Sequence, residues 1–275
     1  MTQSALDLPL HRHIDVDECL LPQRLSPSDL FSRMPERVEQ VFFANLEGVP
    51  PRMEVADWLA EVTEFKVNPS LASHRQLLTD TWRQHVESAR ARESGGGVEF
   101  APTSYFTAYV SGKSAIRIPP RAPPHHAAND APPRLPVPFD VHKFLVPSGV
   151  DGVWRAPVTL TCADALDAAD APVVLHYPSA GFEHWRRKYR ILGAFDDRWW
   201  GRVPCRIPAH LQSRDVLRAS NGGGAVDETR ARAFYRAVIM REGRGELKLL
   251  RAHGLLVRID FVSDVVARVA ARDAK

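Results

Sequence analysis

Two aspartates one residue apart, in the run Asp15-Val16-Asp17-Glu18, are the residues best placed by type and spacing to do chemistry. Carboxylates at i and i+2, where a chain leaves a strand, can both turn toward one hard divalent cation, directly or through water. A cation held there can neutralise a diphosphate leaving group. Ile14 and Leu20-Leu21 bracket the acids, and charge in a buried strand is costly without a partner. His13 is a further nitrogen ligand beside them, while a polar strand end with its acids in solvent is the plainer alternative.

Other candidate groups are scattered. His142 and His176 sit in short apolar runs, Val141 to Val146 and Pro172 to Tyr177, and each reads either as a ligand or as a satisfied core histidine. Lys113 follows a tight Ser111-Gly112 turn, where it can approach an anion or face solvent. Arg186, Arg187, Lys188 and Arg190 share one helical stretch with Trp185 and Tyr189, so part of the basic set can share a face while the aromatics anchor the other. From Glu183 to Arg218 nine Arg or Lys residues stand against four acids. That surplus fits a solvated face or an anion-binding lip.

Positioning these groups requires a mixed α/β framework. The pattern predicts a strand from His11 that ends near Asp15, and a helix over Ser26 to Met34 with Ser26 as cap and Pro27 in the first turn. It predicts a strand over Val38 to Leu46 and a helix over Glu54 to Phe65. Helical spacing recurs from Pro69 to Glu93, ahead of Gly95-Gly96-Gly97. Tyr105 to Ile118 alternates like a hairpin or bent strand, and Pro119 to Pro138, eight prolines in twenty residues, reads as a flexible insertion. The two apolar runs read as buried strands. Helices then follow at Gly181 to Leu192, Asp227 to Glu242, Arg244 to His253 and Val262 to Ala271.

Composition narrows the classes. In 275 residues, 44% hydrophobic and 25% charged, an ordinary core can form. Cys19, Cys162 and Cys205 lie far apart with no C-x-x-C pair, against a zinc ribbon or a disulfide framework. A net charge of +3 does not by itself imply nucleic acid, and no apolar run is long enough to span a membrane. G-x-S-x-G, Walker, H-E-x-x-H and G-x-G-x-x-G motifs are absent, which removes support for serine hydrolases, P-loop nucleotidases, zincins and dinucleotide dehydrogenases.

The segment DVDECLLP resembles the metal-binding motif of GT-A-fold glycosyltransferases, notably family 92. AYVSGKSAIRI, DVHKFLV, VVLHYPSAGFEHWRRKY and LGAFDDRWW are similar to later segments of that family, in the same order. The resemblance covers roughly Ile14 to Trp200. It implies a partial GT-A mixed sheet over 1–200, interrupted by the Pro-rich insertion 119–138, and a helical C-terminal extension over 201–275. It also implies transfer of a hexosyl group from a nucleotide-sugar donor to a glycan acceptor, with inversion. Asp15, Asp17 and His176 would hold Mn²⁺ or Mg²⁺, Lys113 and Arg187 would approach the donor, and Glu47, Glu61 or Glu64 would be the acceptor base, with Glu47 favoured. No nucleic-acid partner is expected.

Only fourteen residues precede Asp15, whereas a GT-A domain normally places its nucleotide-binding βαβ units ahead of the D-x-D. The expectation is therefore the metal-and-acceptor half of a glycosyltransferase, impaired in this form and soluble as given, from a family of the Golgi or secretory membrane.

Two other classes compete. D-V-D-E-C-L-L also resembles the nucleophile motif of haloacid-dehalogenase-like phosphatases, with Asp15 as nucleophile, Asp17 as general acid and Asp196-Asp197 as the later acidic pair, although Glu18 and Cys19 replace the usual glycine and threonine. A polyanion- or nucleic-acid-binding module would use the basic C-terminal half with Trp185, Tyr189, Trp199 and Trp200.

Overall fold

Strands that carry both the acids and the lysine of the candidate site must be fixed by partners far away in the chain, and the pairing shows how. A computed structural model describes residues 10–12, 15–71, 100, 105–118, 136–138, 142–150, 153–162, 166, 170–193, 195–198, 204–205, 207–218, 227–240 and 243–273. Helices and strands in mixed sheets make this an α/β chain. It forms two interleaved units, Met1–Asn45 with Ser111–Val174, and Leu46–Val110 with Leu175–Lys275. Two of its three boundaries, 45/46 and 174/175, fall within strands. The expected helix in 69–93 lies almost wholly outside the described residues, as do His13, Trp199, Trp200 and most of the Pro-rich insertion.

In the first unit, β1 (Leu10–Arg12), β6 (Lys113–Arg117), β3 (Gln40–Phe43) and β10 (Thr159–Thr161) lie in the order β1-β6-β3-β10. The first two pairings are antiparallel and the last is parallel. β6 is central, with Lys113 through Ile116 all buried. A second small sheet, β7 (Val137–Pro138), β8 (Phe144–Pro147) and β9 (Trp154–Arg155), packs Phe144 and Val146 against Ile116. The helix expected at Ser26 is present as α1 (Pro27–Arg33). The Ser26 hydroxyl accepts the Asp29 N–H at 3.1 Å, Pro27 needs no N–H partner, and the helix stops before Pro35. Leu30 and Met34 bury against Val41, Phe43, Ala115 and Val174.

The expected strand over Val38 to Leu46 divides after Phe43, and the chain continues as β4 (Asn45–Val49) into the second unit. The expected helix over Glu54 to Phe65 shrinks to one turn, α2 (Trp58–Glu61), capped by Asp57, and gives way to β5 (Glu64–Lys66). Strand wins there because Phe65 is fully buried and its neighbours pair on both sides, Glu47 opposite Lys66 on β4 and Leu256 opposite Lys66 on β12 (Leu256–Arg258). β11 (Val173–His176) borders β4 on its other side, so the apolar run expected as a buried strand is one. Of the segment expected as a hairpin or bent strand, only Lys113–Arg117 is a strand; residues 105–110 form none.

Helices complete the second unit. In α3 (Phe182–Leu192) the buried residues Phe182, Trp185 and Tyr189 fall at i, i+3 and i+7, a single inward stripe. They join Val216 and Leu217 of α4 (Pro208–Arg218) and Phe234 of α5 (Glu228–Phe234) in an aromatic-rich core. The sequence pattern gave no helix at α4. A π-helical turn, Tyr235–Ile239, continues α5; the Tyr235 hydroxyl donates to Ser179 O at 2.8 Å and accepts the Gly181 N–H at 2.9 Å. α6 (Arg244–Ala252) and α7 (Phe261–Asp273) agree with the expected helices to within a residue or two.

Gly112 is the point of greatest local constraint. Its φ is +64°, and a Cβ there would lie 2.1 Å from Phe43 O. Gly112→Ala should therefore lower the unfolding free energy by at least ~2 kcal/mol, through left-handed strain plus a backbone clash. Urea denaturation reads this directly, and a midpoint equal to wild type would contradict the geometry.

Candidate functional site

The run Asp15-Val16-Asp17-Glu18, which follows β1 in the chain, forms the turn that leads into β2 (Glu18–Leu21). Val16 projects almost fully into solvent, while Asp17 and Glu18 turn inward and are buried. The turn closes on itself: the Glu18 N–H donates to Asp15 O at 3.1 Å, and the Asp15 N–H donates to Glu18 Oε2 at 2.9 Å.

Lys113, first residue of the central strand β6, supplies the compensating charge. Its Nζ lies 2.7 Å from Asp15 Oδ2 and 3.4 Å from Glu18 Oε2. The lysine and Glu18 side chains are 1% and 0% exposed, whereas Asp15 is 39% exposed, so the cluster reaches solvent through Asp15. Glu18 Oε1 is buried and has no hydrogen-bond partner among the described residues. Burial pushes the Glu18 carboxyl up to about 7, with the charges of Asp15 and Asp17 adding to the rise; Lys113 and the Asp15 amide oppose it.

His142 stands on the other side of Lys113 along β6. Its Nδ1 is 2.7 Å from Gly112 O, and its own carbonyl accepts the Ser114 hydroxyl at 2.6 Å. A carbonyl can only accept, so Nδ1 carries a proton. Three separated stretches, DVDE, SGKSA and the one that begins at His142, thus meet around Lys113.

The second unit holds the remaining candidates. Glu47 and Lys66 form a buried ion pair at 2.7 Å between β4 and β5. Glu47 also accepts the N–H groups of Thr107 and Ala108 at 2.9 and 2.8 Å, and Lys66 donates to Tyr105 O at 2.9 Å. The carboxylate expected as a general base therefore has both oxygens engaged and is 1% exposed, an arrangement that anchors the 105–108 segment. Glu61 closes the turn around α2 by accepting the Ala56 and Asp57 N–H groups and pairing with Arg52. Glu64 takes a forked contact from Arg251. His176 is buried, its ring stacked on Tyr109 with centroids 4.7 Å apart.

No family model, curated protein or solved structure matches the chain.

Arg187 is exposed on α3, and Arg186 pairs with Glu183 and Glu228, so the basic helix presents a solvated face. Asp197, one of the later acids, is held by Arg214 at 2.7 Å. Among the described residues no group of three or more His, Cys, Asp or Glu side chains is placed to hold a metal ion, and no helix is long and apolar enough to cross a membrane.

Sequence reasoning gave Glu18 no role of its own and passed over Lys66. A signal existed for both: each is a charge inside an apolar strand pattern, and such a charge needs a partner. The partners lie 95 and 19 positions away, Lys113 and Glu47, and no spacing rule links them.

Two outcomes follow. Glu18 holds its proton to about pH 7 when folded, against an ordinary value of 4.5, so the folded state binds more protons between those limits and stability falls as pH rises through them. The fall is on the order of 3 kcal/mol, and Glu18→Gln should flatten it in thermal melts recorded from pH 4.5 to 7.5. Glu47→Gln, by stranding the Lys66 ammonium, should cost about 3–5 kcal/mol in chemical denaturation. A fully stable Glu47→Gln protein would return Glu47 to the list of functional acids.

Proposed function

We propose that the acidic turn is the diphosphate-facing site of a metal-dependent glycosyl-transfer protein of GT-A type, taking a nucleotide-sugar donor and a glycan acceptor. The observation that carries this reading is the convergence on Lys113 of three segments that resemble family 92 glycosyltransferases, with Asp15 at the solvent edge of the cluster. Oxygen donors suit Mg²⁺ or Mn²⁺, and Mg²⁺ in particular is usually bound by one or two carboxylates plus substrate phosphates rather than by an all-protein cage. A site without three converging protein ligands fits an ion whose shell the diphosphate and water complete.

Asp15 and Asp17 are the residues that would hold the ion. When bound, it supplies positive charge against a departing diphosphate. Asp15 offers the accessible carboxylate, and Glu18 and Lys113 fix its orientation from beneath. Lys113, sealed at 1% exposure, acts on the carboxylates rather than as a phosphate contact.

Calorimetric titration of the chain with a uridine or guanosine diphosphate-sugar should show heat only when Mn²⁺ or Mg²⁺ is present, and Asp15→Asn should remove it. Hydrolysis of p-nitrophenyl phosphate through an acylphosphate on Asp15, without sugar-nucleotide binding, would instead install the phosphatase reading.

A further inference from the structure

The Lys113 ammonium faces two carboxylates that differ in what they can give up. Asp15 Oδ2, at 2.7 Å, belongs to the exposed carboxylate that an incoming cation would meet. Glu18 Oε2 is already 3.4 Å from the same nitrogen, and Glu18 Oε1 is a buried acceptor with no hydrogen-bond partner among the described residues. The ammonium therefore has a second acceptor close at hand, and the shift toward it takes place inside the cluster, without exposing the lysine.

We infer that Lys113 is a displaceable counter-ion: it holds Asp15 in place until a divalent cation arrives, then moves onto Glu18 and releases the Asp15 carboxylate to the cation. This rests on the reading of the acidic turn as a cation site and adds to it a positioning role for Lys113 and a receiving role for Glu18. Two like charges cannot share one carboxylate at contact distance without repulsion, so Lys113 opposes cation entry for as long as it remains on Asp15. Glu18 sets how readily it leaves. No bond is made or broken in the exchange; one charge-assisted hydrogen bond is traded for another.

The consequence is a pair of changes in opposite directions, which a merely structural lysine does not produce. At pH 8, where Glu18 has lost its proton, Glu18→Gln removes the charge that receives the ammonium, so Lys113 stays on Asp15 and affinity for Mn²⁺ falls by about tenfold. The double variant Lys113→Met/Glu18→Gln removes the competitor together with the buried acid it neutralises, which leaves no stranded charge, and affinity rises by about tenfold above wild type. Both are read by titrating the full chain with Mn²⁺ alone and measuring free ion by electron paramagnetic resonance, with circular dichroism confirming the fold of each variant.

Were Glu18 a direct ligand, the double variant would bind more weakly than wild type, and this inference would fall while the cation site stood. Asp15-dependent binding of equal strength in all three proteins would have the same meaning. If Mn²⁺ binds none of them, or binds without regard to Asp15→Asn, the cation site itself is wrong and the exchange with it.

Discussion

A lysine ammonium sealed at the start of a central strand must be neutralised locally, and the first unit is arranged around that requirement. Lys113 begins β6, which lies between β1 and β3, so the position of its amine is fixed by two antiparallel registers and by the left-handed turn at Gly112. The acidic turn must come to it. Glu18 enters the interior as its partner, Asp15 bridges from the surface, and the turn's two internal hydrogen bonds hold the acids in that arrangement. The stake is high, because removing one member of a buried pair leaves the other uncompensated, at a cost far above the net worth of the pair.

The second unit solves a similar problem to a different end. Glu47 and Lys66 are also buried and opposed, yet here every polar atom the pair presents to its surroundings is met by backbone: Thr107, Ala108 and Tyr105. The Lys66 ammonium also lies 5.6 Å from the Tyr105 ring centroid, a geometry that adds a favourable cation–π contact. A closed network of this kind specifies a loop and offers nothing to a ligand. The Asp15–Glu18–Lys113 cluster is open at Asp15 and incompletely satisfied at Glu18 Oε1, and that contrast separates the candidate site from the scaffold.

Much of the framework was legible because it rests on local signals. Ser26-Pro27 announces α1, the aromatic stripe announces α3, and the run Val173 to His176 announces a buried strand. The D-x-D and Lys113 were both legible as chemistry-bearing residues, though not as partners. What sequence could not supply is tertiary choice: Glu54 to Phe65 carries a helical pattern, but pairing on both sides of Phe65 makes its end a strand. Glu47 reads as an accessible turn acid only because its register opposite Lys66 is invisible in one dimension.

The interleaving of the two units bears on synthesis. Neither unit is a continuous stretch, since the chain passes from one to the other at 45/46, again at 110/111 and again at 174/175. As the polypeptide leaves the ribosome, Asp15 emerges 98 residues before the lysine that neutralises it, and α1 and β3 appear before β6 and β10 can flank them. Every nascent chain therefore passes through a period in which unpaired strand edges and the apolar faces of Leu30, Val41 and Phe43 are uncovered. High contact order slows closure further, because distant segments must find one another before their contacts repay the lost chain entropy. Until they do, the same edges and apolar faces are open to pairing with other chains.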